Sequence, residues 1–109
     1  MIEPGKVVLA DFMGVTGVKR RPALVISTLA YHQTRPDVII GVLTTQIASA
    51  SAPSDYVLQD WPAAGLHKPT AFRTFLNTVP GVAVMEVGKV TERDWAAIQV
   101  CLRLAIAIT

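Results

Sequence analysis

Three consecutive cations, Lys19, Arg20 and Arg21, form the densest concentration of potential chemistry in this 109-residue chain. No acid falls between Asp11 and Asp37, so the cluster stands as a local positive patch. A guanidinium is always charged and forks onto two oxygens of a phosphate or carboxylate. Such a patch steers phosphates even where the net charge is only +2. Arg73, between Phe72 and Phe75, is a further residue able to stack on or pair with nucleic acid. Each also has a plainer reading. Arg73 fits a surface arginine, Arg21 a strand-edge charge paired with Asp11 or Asp37, and Lys19 and Arg20 a solvated loop that attracts nucleic acid without selectivity.

Other chemistries have less material. The two histidines, His32 and His67, lie in polar, turn-rich stretches and read as exposed loop residues. A paired-histidine nuclease needs both to converge, which their spacing does not indicate. There is no His-x-x-x-His, no cysteine pair and no carboxylate cluster at ligand spacing, so neither a metal nor another cofactor is expected. Cys101 is the sole cysteine, which excludes an internal disulfide and suits a reducing compartment.

The elements that must position these residues follow from pattern. Lys6 to Met13 is rich in Val, Leu and Phe after a Pro4-Gly5 turn and reads as a strand. Gly14 to Arg20 reads as a loop. Arg21 to Thr28 reads as a second strand, with Pro22 near its start where a missing N–H is tolerated. Ser27 and Thr28 read as capping the turn that follows, and Leu29 to Pro36 as irregular. Asp37 to Thr45 is nearly all apolar and predicts a third strand buried on both faces. Ile47 to Ser54 reads as a mobile loop and Asp55 to Leu58 as a short strand. Asp60 to Pro69 reads as a turn with a helical kink. Thr70 to Thr78 reads as another strand, and Val82 to Val90 as one or two more.

The period then changes. Trp95, Ile98, Leu102, Ala105 and Ile106 recur at helical spacing, and Thr91 with Asp94 has the pattern of a capping box. Val100, Leu104 and Ile108 make a second apolar face, so this helix needs two partners. Trp61 and Trp95 read as core residues. About six short strands followed by one helix predict a mainly β chain, a compact barrel or curled sheet, forming one domain over residues 1–109. Hydrophobic residues make up 51% of the chain and charged ones 17%, which for so small a domain predicts apolar surface meeting another chain. No signal-like N-terminus precedes Glu3 and Pro4, and the apolar C-terminal run is broken by Arg103, so a cytosolic setting is expected.

Three stretches in this order carry a resemblance. They are Pro4-Gly5-Lys6-Val7-Val8 leading to Asp11-Phe12, then Lys19 through Ser27 around Arg21-Pro22, then Val42-Leu43-Thr44-Thr45-Gln46. Leu58-Gln59-Asp60-Trp61, Ala64-Gly65-Leu66, Lys68-Pro69-Thr70, Gly88-Lys89-Val90 and the final helix extend it. Together they resemble the MazF/PemK family of toxins from type II toxin–antitoxin pairs, in its PemK-like branch, over essentially the whole chain. The resemblance implies an SH3-like barrel of the CcdB–MazF type with a C-terminal helix, acting as a homodimer. It implies a metal-independent endoribonuclease that cuts single-stranded mRNA at short sequences and halts translation and growth. It also implies an antitoxin partner whose flexible acidic tail covers the toxin's groove, and no membrane association.

By the same resemblance, Arg21 and Thr44 match the family's catalytic pair. Lys19, Arg20, Thr45, Gln46 and Arg73 are the candidate RNA contacts. Cutting RNA by attack of its own 2′-hydroxyl requires charge stabilisation at phosphorus, which a forked guanidinium supplies, and a donor such as a hydroxyl helps. Arginine is a poor base, so the proton acceptor is unassigned. Two features depart from the family: the first loop is shorter than in the MazF branch, and Phe75 stands where relatives often carry a polar residue. Two other functions fit the architecture: a non-enzymatic CcdB-like toxin that poisons a protein such as DNA gyrase, and an idle module that binds RNA or sequesters an antitoxin.

Overall fold

In the computed structural model, which describes residues 2–108, six strands form one antiparallel curled sheet. They are β1 (Lys6–Gly14), β2 (Gly17–Val25), β3 (Asp37–Thr44), β4 (Tyr56–Val57), β5 (Ala71–Pro80) and β6 (Met85–Lys89). The order across the sheet is β4-β5-β3-β2-β1-β6. Helix α1 (Leu29–Thr34) links β2 to β3, and helix α2 (Glu92–Ala105) ends the fold. This is the single mainly β domain with a C-terminal helix expected from the pattern.

Strand alternation sorts the apolar residues into two clusters. Val7, Leu24, Leu43 and Phe72 pack with Ile98 and Cys101 of α2 on one side of the sheet. Trp61 and Trp95 are half-buried against this cluster, as core residues. Val8, Ala10, Ala23, Val25, Val38 and Ile40 fill the other side. Full burial of a side chain such as Ile98 contributes roughly 1.5–3 kcal/mol.

The two edge strands, β4 and β6, do not pair with each other. The segment after β4 makes a short 3₁₀ turn, Pro62–Ala64, which ends on Gly65 in the left-handed region at φ +83°. This turn lies against β6 so tightly that a Cβ on Gly88 would stand 2.0 Å from the Ala64 carbonyl oxygen. Only glycine at 88 permits that approach.

Several local expectations need correction. The first loop is a two-residue hairpin, because β1 and β2 pair out to Gly14 opposite Gly17. Lys19 and Arg20 are therefore strand residues. Residues expected to be irregular form α1, which Thr28 caps by accepting from the Tyr31 amide at 3.2 Å. β2 ends at Val25, before Ser27 and Thr28. β3 is not buried on both faces, since its residues alternate between buried and half-buried positions along much of its length.

His32 is half-buried on α1 rather than exposed in a loop. Its Nδ1–H donates to the Ile2 carbonyl at 2.6 Å, since a carbonyl only accepts, and its Nε2 accepts from the Ser27 hydroxyl. Ser27 Oγ in turn accepts from the Ile39 amide. This histidine has a structural task, tying the N-terminal segment to the β2–β3 connection.

The capping box is also only half present. Thr91 Oγ1 accepts from the Asp94 amide, but the Asp94 carboxylate does not reach back. It is fully buried and instead accepts from the Tyr56 hydroxyl at 2.6 Å and from the amides of Gln59 and Asp60 at 3.0 and 2.9 Å. Burial and this carboxylate push the Tyr56 phenol up to about 12. Asp60 accepts from Thr91 and pairs with Arg93, and both partners hold its carboxyl below the usual range. These contacts clamp the segment after β4 onto α2.

Candidate active site

β2 pairs with β3 over three positions only, ending at Ala23 opposite Val42. Outward from there each strand keeps only its other neighbour. β2 stays with β1 through Arg21 opposite Ala10 and on to the hairpin, and β3 stays with β5 through Thr44 opposite Ala71. Pro22, which has no N–H for a ladder bond, stands beside the last pair. Continued two residues outward, the β2–β3 register sets Arg21 opposite Thr44.

A cleft of about 640 Å³ opens in this split. Arg21 and Thr44 line it with Thr45, His67, Lys68 and Thr70 as the other polar groups, and with apolar walls that include Leu9, Leu43 and Leu66. A second cleft, of about 400 Å³, shares Arg21 and is lined by Lys19, Arg73, Phe12, Val42 and Phe75 together with the hairpin tip. No acidic residue lines either one.

The pairing of the cations sharpens this picture. Lys6, Arg20, Arg35, Arg73, Lys89 and Arg93 each have a carboxylate partner. Asp11 and Asp37, the two candidates to neutralise Arg21, are engaged by Arg20 and Arg35 instead. Among the described residues Lys19, Arg21, Lys68 and Arg103 form no ion pair, and the first three of these line the clefts. Arg21 is exposed. The groove therefore carries uncompensated positive charge on an apolar floor.

Thr44 is half-buried, and its Oγ1 accepts from the Gln46 amide at 3.1 Å. That bond fixes the oxygen and leaves the hydroxyl proton available for donation. Arg73 is held beside the buried Asp55 carboxylate, with Nε to Oδ1 at 3.8 Å. Nε has no hydrogen-bond partner, while two fifths of the side chain is exposed.

The structure thus brings Arg21, Thr44 and Thr45 to one cleft, and Lys19 and Arg73 to the adjoining one. It does not bring Arg20 or Gln46 there. Arg20 pairs with Asp11, and Gln46 is exposed past the end of β3, contributing its backbone amide. Two residues absent from the sequence-based candidates, His67 and Lys68, join the cleft because the Gly65 turn folds back against β6. His67 is exposed as expected, but on the cleft wall. The available signal was its place beside Lys68-Pro69-Thr70. Among the described residues, no three His, Cys, Asp or Glu side chains converge as a metal-binding group.

The curled sheet with its C-terminal helix is a fold shared with known proteins. The model of the PemK-like, MazF-like toxins of type II toxin–antitoxin systems matches residues 3–106, and the chain belongs to that family. Solved structures agree on the fold. A mycobacterial endoribonuclease in complex with its cognate antitoxin superposes with a TM-score of 0.81 at 20% identity, covering 100% of this chain and 98% of that one. The MazE–MazF complex (Form-II) of Deinococcus radiodurans gives 0.74 at 17% identity, covering 99% and 97%. The Mycobacterium tuberculosis toxin MazF-mt6 gives 0.76 at 15% identity, covering 95% and 98%. No curated protein matches the chain by sequence. No helix among the described residues is long and apolar enough to cross a membrane.

Proposed function

We propose that this toxin is a metal-independent endoribonuclease that cuts single-stranded mRNA in the Arg21–Thr44 cleft, stopping translation and growth. One observation carries the reading: Arg21, free of any carboxylate partner among the described residues, lines the same cleft as a Thr44 whose hydroxyl is oriented and free to donate. The names of the structural neighbours, endoribonucleases among them, support it.

In the proposed step the 2′-hydroxyl of the substrate loses its proton to the imidazole of His67. Its oxygen bonds to phosphorus, the bond to the 5′-oxygen breaks, and water at the open cleft protonates the leaving oxygen. Arg21 forks onto the phosphoryl oxygens as charge builds there, and Thr44 adds a donor. Among the described residues lining the two clefts, His67 supplies the one imidazole, whose ring nitrogen can accept a proton. The balanced products are a 2′,3′-cyclic phosphate and a 5′-hydroxyl. Thr45 and Lys68 contact the strand on the same wall.

The basic, acid-free groove also fits an acidic antitoxin tail as its resting occupant. A homodimer is proposed from the second face of α2, where Val100 and Leu104 are 50% and 62% exposed, together with Ile108 just past the helix end, 68% exposed. The toxin acts in the cytoplasm, where its mRNA substrate is. Incubating purified protein with single-stranded RNA of mixed sequence in EDTA tests the core of this reading. Cleavage that disappears in Arg21→Ala supports it. Intact RNA together with capture of a gyrase subunit would select the CcdB-like alternative.

A further inference from the structure

The second cleft has a composition that phosphate binding alone does not explain. Phe75 is 63% exposed at its edge, and the half-buried Phe12 lies in the same lining. Lys19, Arg21 and Arg73 share that lining with them. An exposed aromatic ring is costly in water unless something covers it, and three cations beside it make a polyanion the fitting occupant.

The backbone sets this ring apart. β3 and β5 pair regularly from Asp37 to Gly41 opposite Leu76, then resume at Val42 opposite Arg73. Thr74 and Phe75 are thus left without partners on β3, in a bulge that re-aims side chains on β5. Thr74 is tied down, its hydroxyl donating to the Ser54 carbonyl at 2.6 Å. Phe75 is left at the mouth of the cleft. Asp55 anchors the Nε side of the Arg73 guanidinium, which leaves its terminal nitrogens for another ligand.

We propose that this second cleft is a base-stacking subsite for the nucleotide next to the one cut. The Phe75 ring carries the unstacked base, while Lys19 and Arg73 hold its flanking phosphates and Arg21 spans both clefts. This rests on the RNA-cutting reading and adds what that reading lacks, a feature of the chain that selects a single strand. A duplex cannot present an unstacked base to the ring.

The test uses the whole protein and a short 2′-O-methyl oligoribonucleotide spanning a mapped cut site, with 2-aminopurine placed at successive positions. Quenching is expected at one position beside the cut. It should vanish in Phe75→Ala and return in Phe75→Trp. Affinity in Phe75→Ala should fall roughly five- to hundredfold with an unchanged salt dependence. Lys19→Gln should instead reduce the slope of log affinity against log salt by about 0.7, one single-strand phosphate contact. Full affinity and quenching in Phe75→Ala would overturn the proposal. So would a Phe75→Ala protein that loses mass in light scattering but keeps its RNA binding, which would give the ring to a second copy of the chain. In either case, continued cutting of unblocked RNA by the wild-type protein would leave the nuclease reading standing. No cutting at all would remove both.

Discussion

Arg21 and Thr44 line one cleft in the split between β2 and β3, each two residues beyond the last pair joining those strands. The sheet thus separates beside the two side chains, while each strand stays paired with its other neighbour. Sites built on strands hold their geometry better than sites on loops. The hydroxyl is fixed from behind by the Gln46 amide, and the guanidinium is left unneutralised by the pairing of Asp11 and Asp37 elsewhere.

Thr44→Val removes the donor and leaves the Gln46 amide without its acceptor. Single-turnover cleavage should slow by roughly 10²- to 10³-fold, the usual cost of one transition-state donor, with RNA binding little changed. Thr44→Ser should recover most of the rate. A rate for Thr44→Val within a few-fold of wild type would leave that residue a structural strand former.

Arg21→Lys keeps the positive charge but loses the fork. Binding of an uncleavable strand should persist while the cleavage rate falls on the order of a hundredfold. Measuring the rate and the affinity separately decides it, because equal loss in both would make Arg21 a binding residue only.

The turn that brings His67 and Lys68 to the cleft depends on Gly88. A Cβ there would collide with the Ala64 carbonyl, so Gly88→Ala should cost about 1–3 kcal/mol in urea denaturation and loosen the turn. Proteolysis near residues 61–68 should become faster. Unchanged stability would mean that the turn moves aside freely.

Tyr56 gives a signed pH dependence. Its phenol is raised from an ordinary 10 to about 12, by burial first and then by the Asp94 hydrogen bond. A raised folded value means its contribution is fully present below pH 10 and is lost as pH climbs from 10 towards about 12, as the unfolded chain ionises first. Tyr56→Phe should be less stable than wild type at pH 8, and the gap should narrow by pH 12. Thermal melts of both proteins across that range check it, and a constant gap would contradict the assignment.

Much of the architecture was legible in the chain because its signals are local. The β-rich run from Lys6, the Pro62 and Gly65 turn, and the Trp95–Ile98–Leu102 stripe each carry their own period or punctuation. α1 escaped because six residues are too few to establish a helical period. The sequence predicts a longer loop at the hairpin tip because two glycines mark both kinds of turn. Arg21 stands out within the cation cluster, but its pairing with Thr44 follows from family likeness alone, since a threonine in a strand signals no chemistry by itself. His67 and Lys68 depend on the Gly65–Gly88 approach, a contact between distant segments that no local pattern announces. Asp94 had the spacing of a cap but a different task, decided by the amides of Gln59 and Asp60 folding over it.

The central claim is that the 2′-hydroxyl of the strand attacks a phosphate held by Arg21. The most direct measurement is cleavage in EDTA of an RNA carrying one 2′-deoxy nucleotide immediately 5′ of a mapped cut. The account predicts that this single change abolishes cutting at that bond, that neighbouring sites are still cut, and that Arg21→Ala cuts none. Cleavage of the 2′-deoxy bond at an undiminished rate, or full activity in Arg21→Ala, would contradict it.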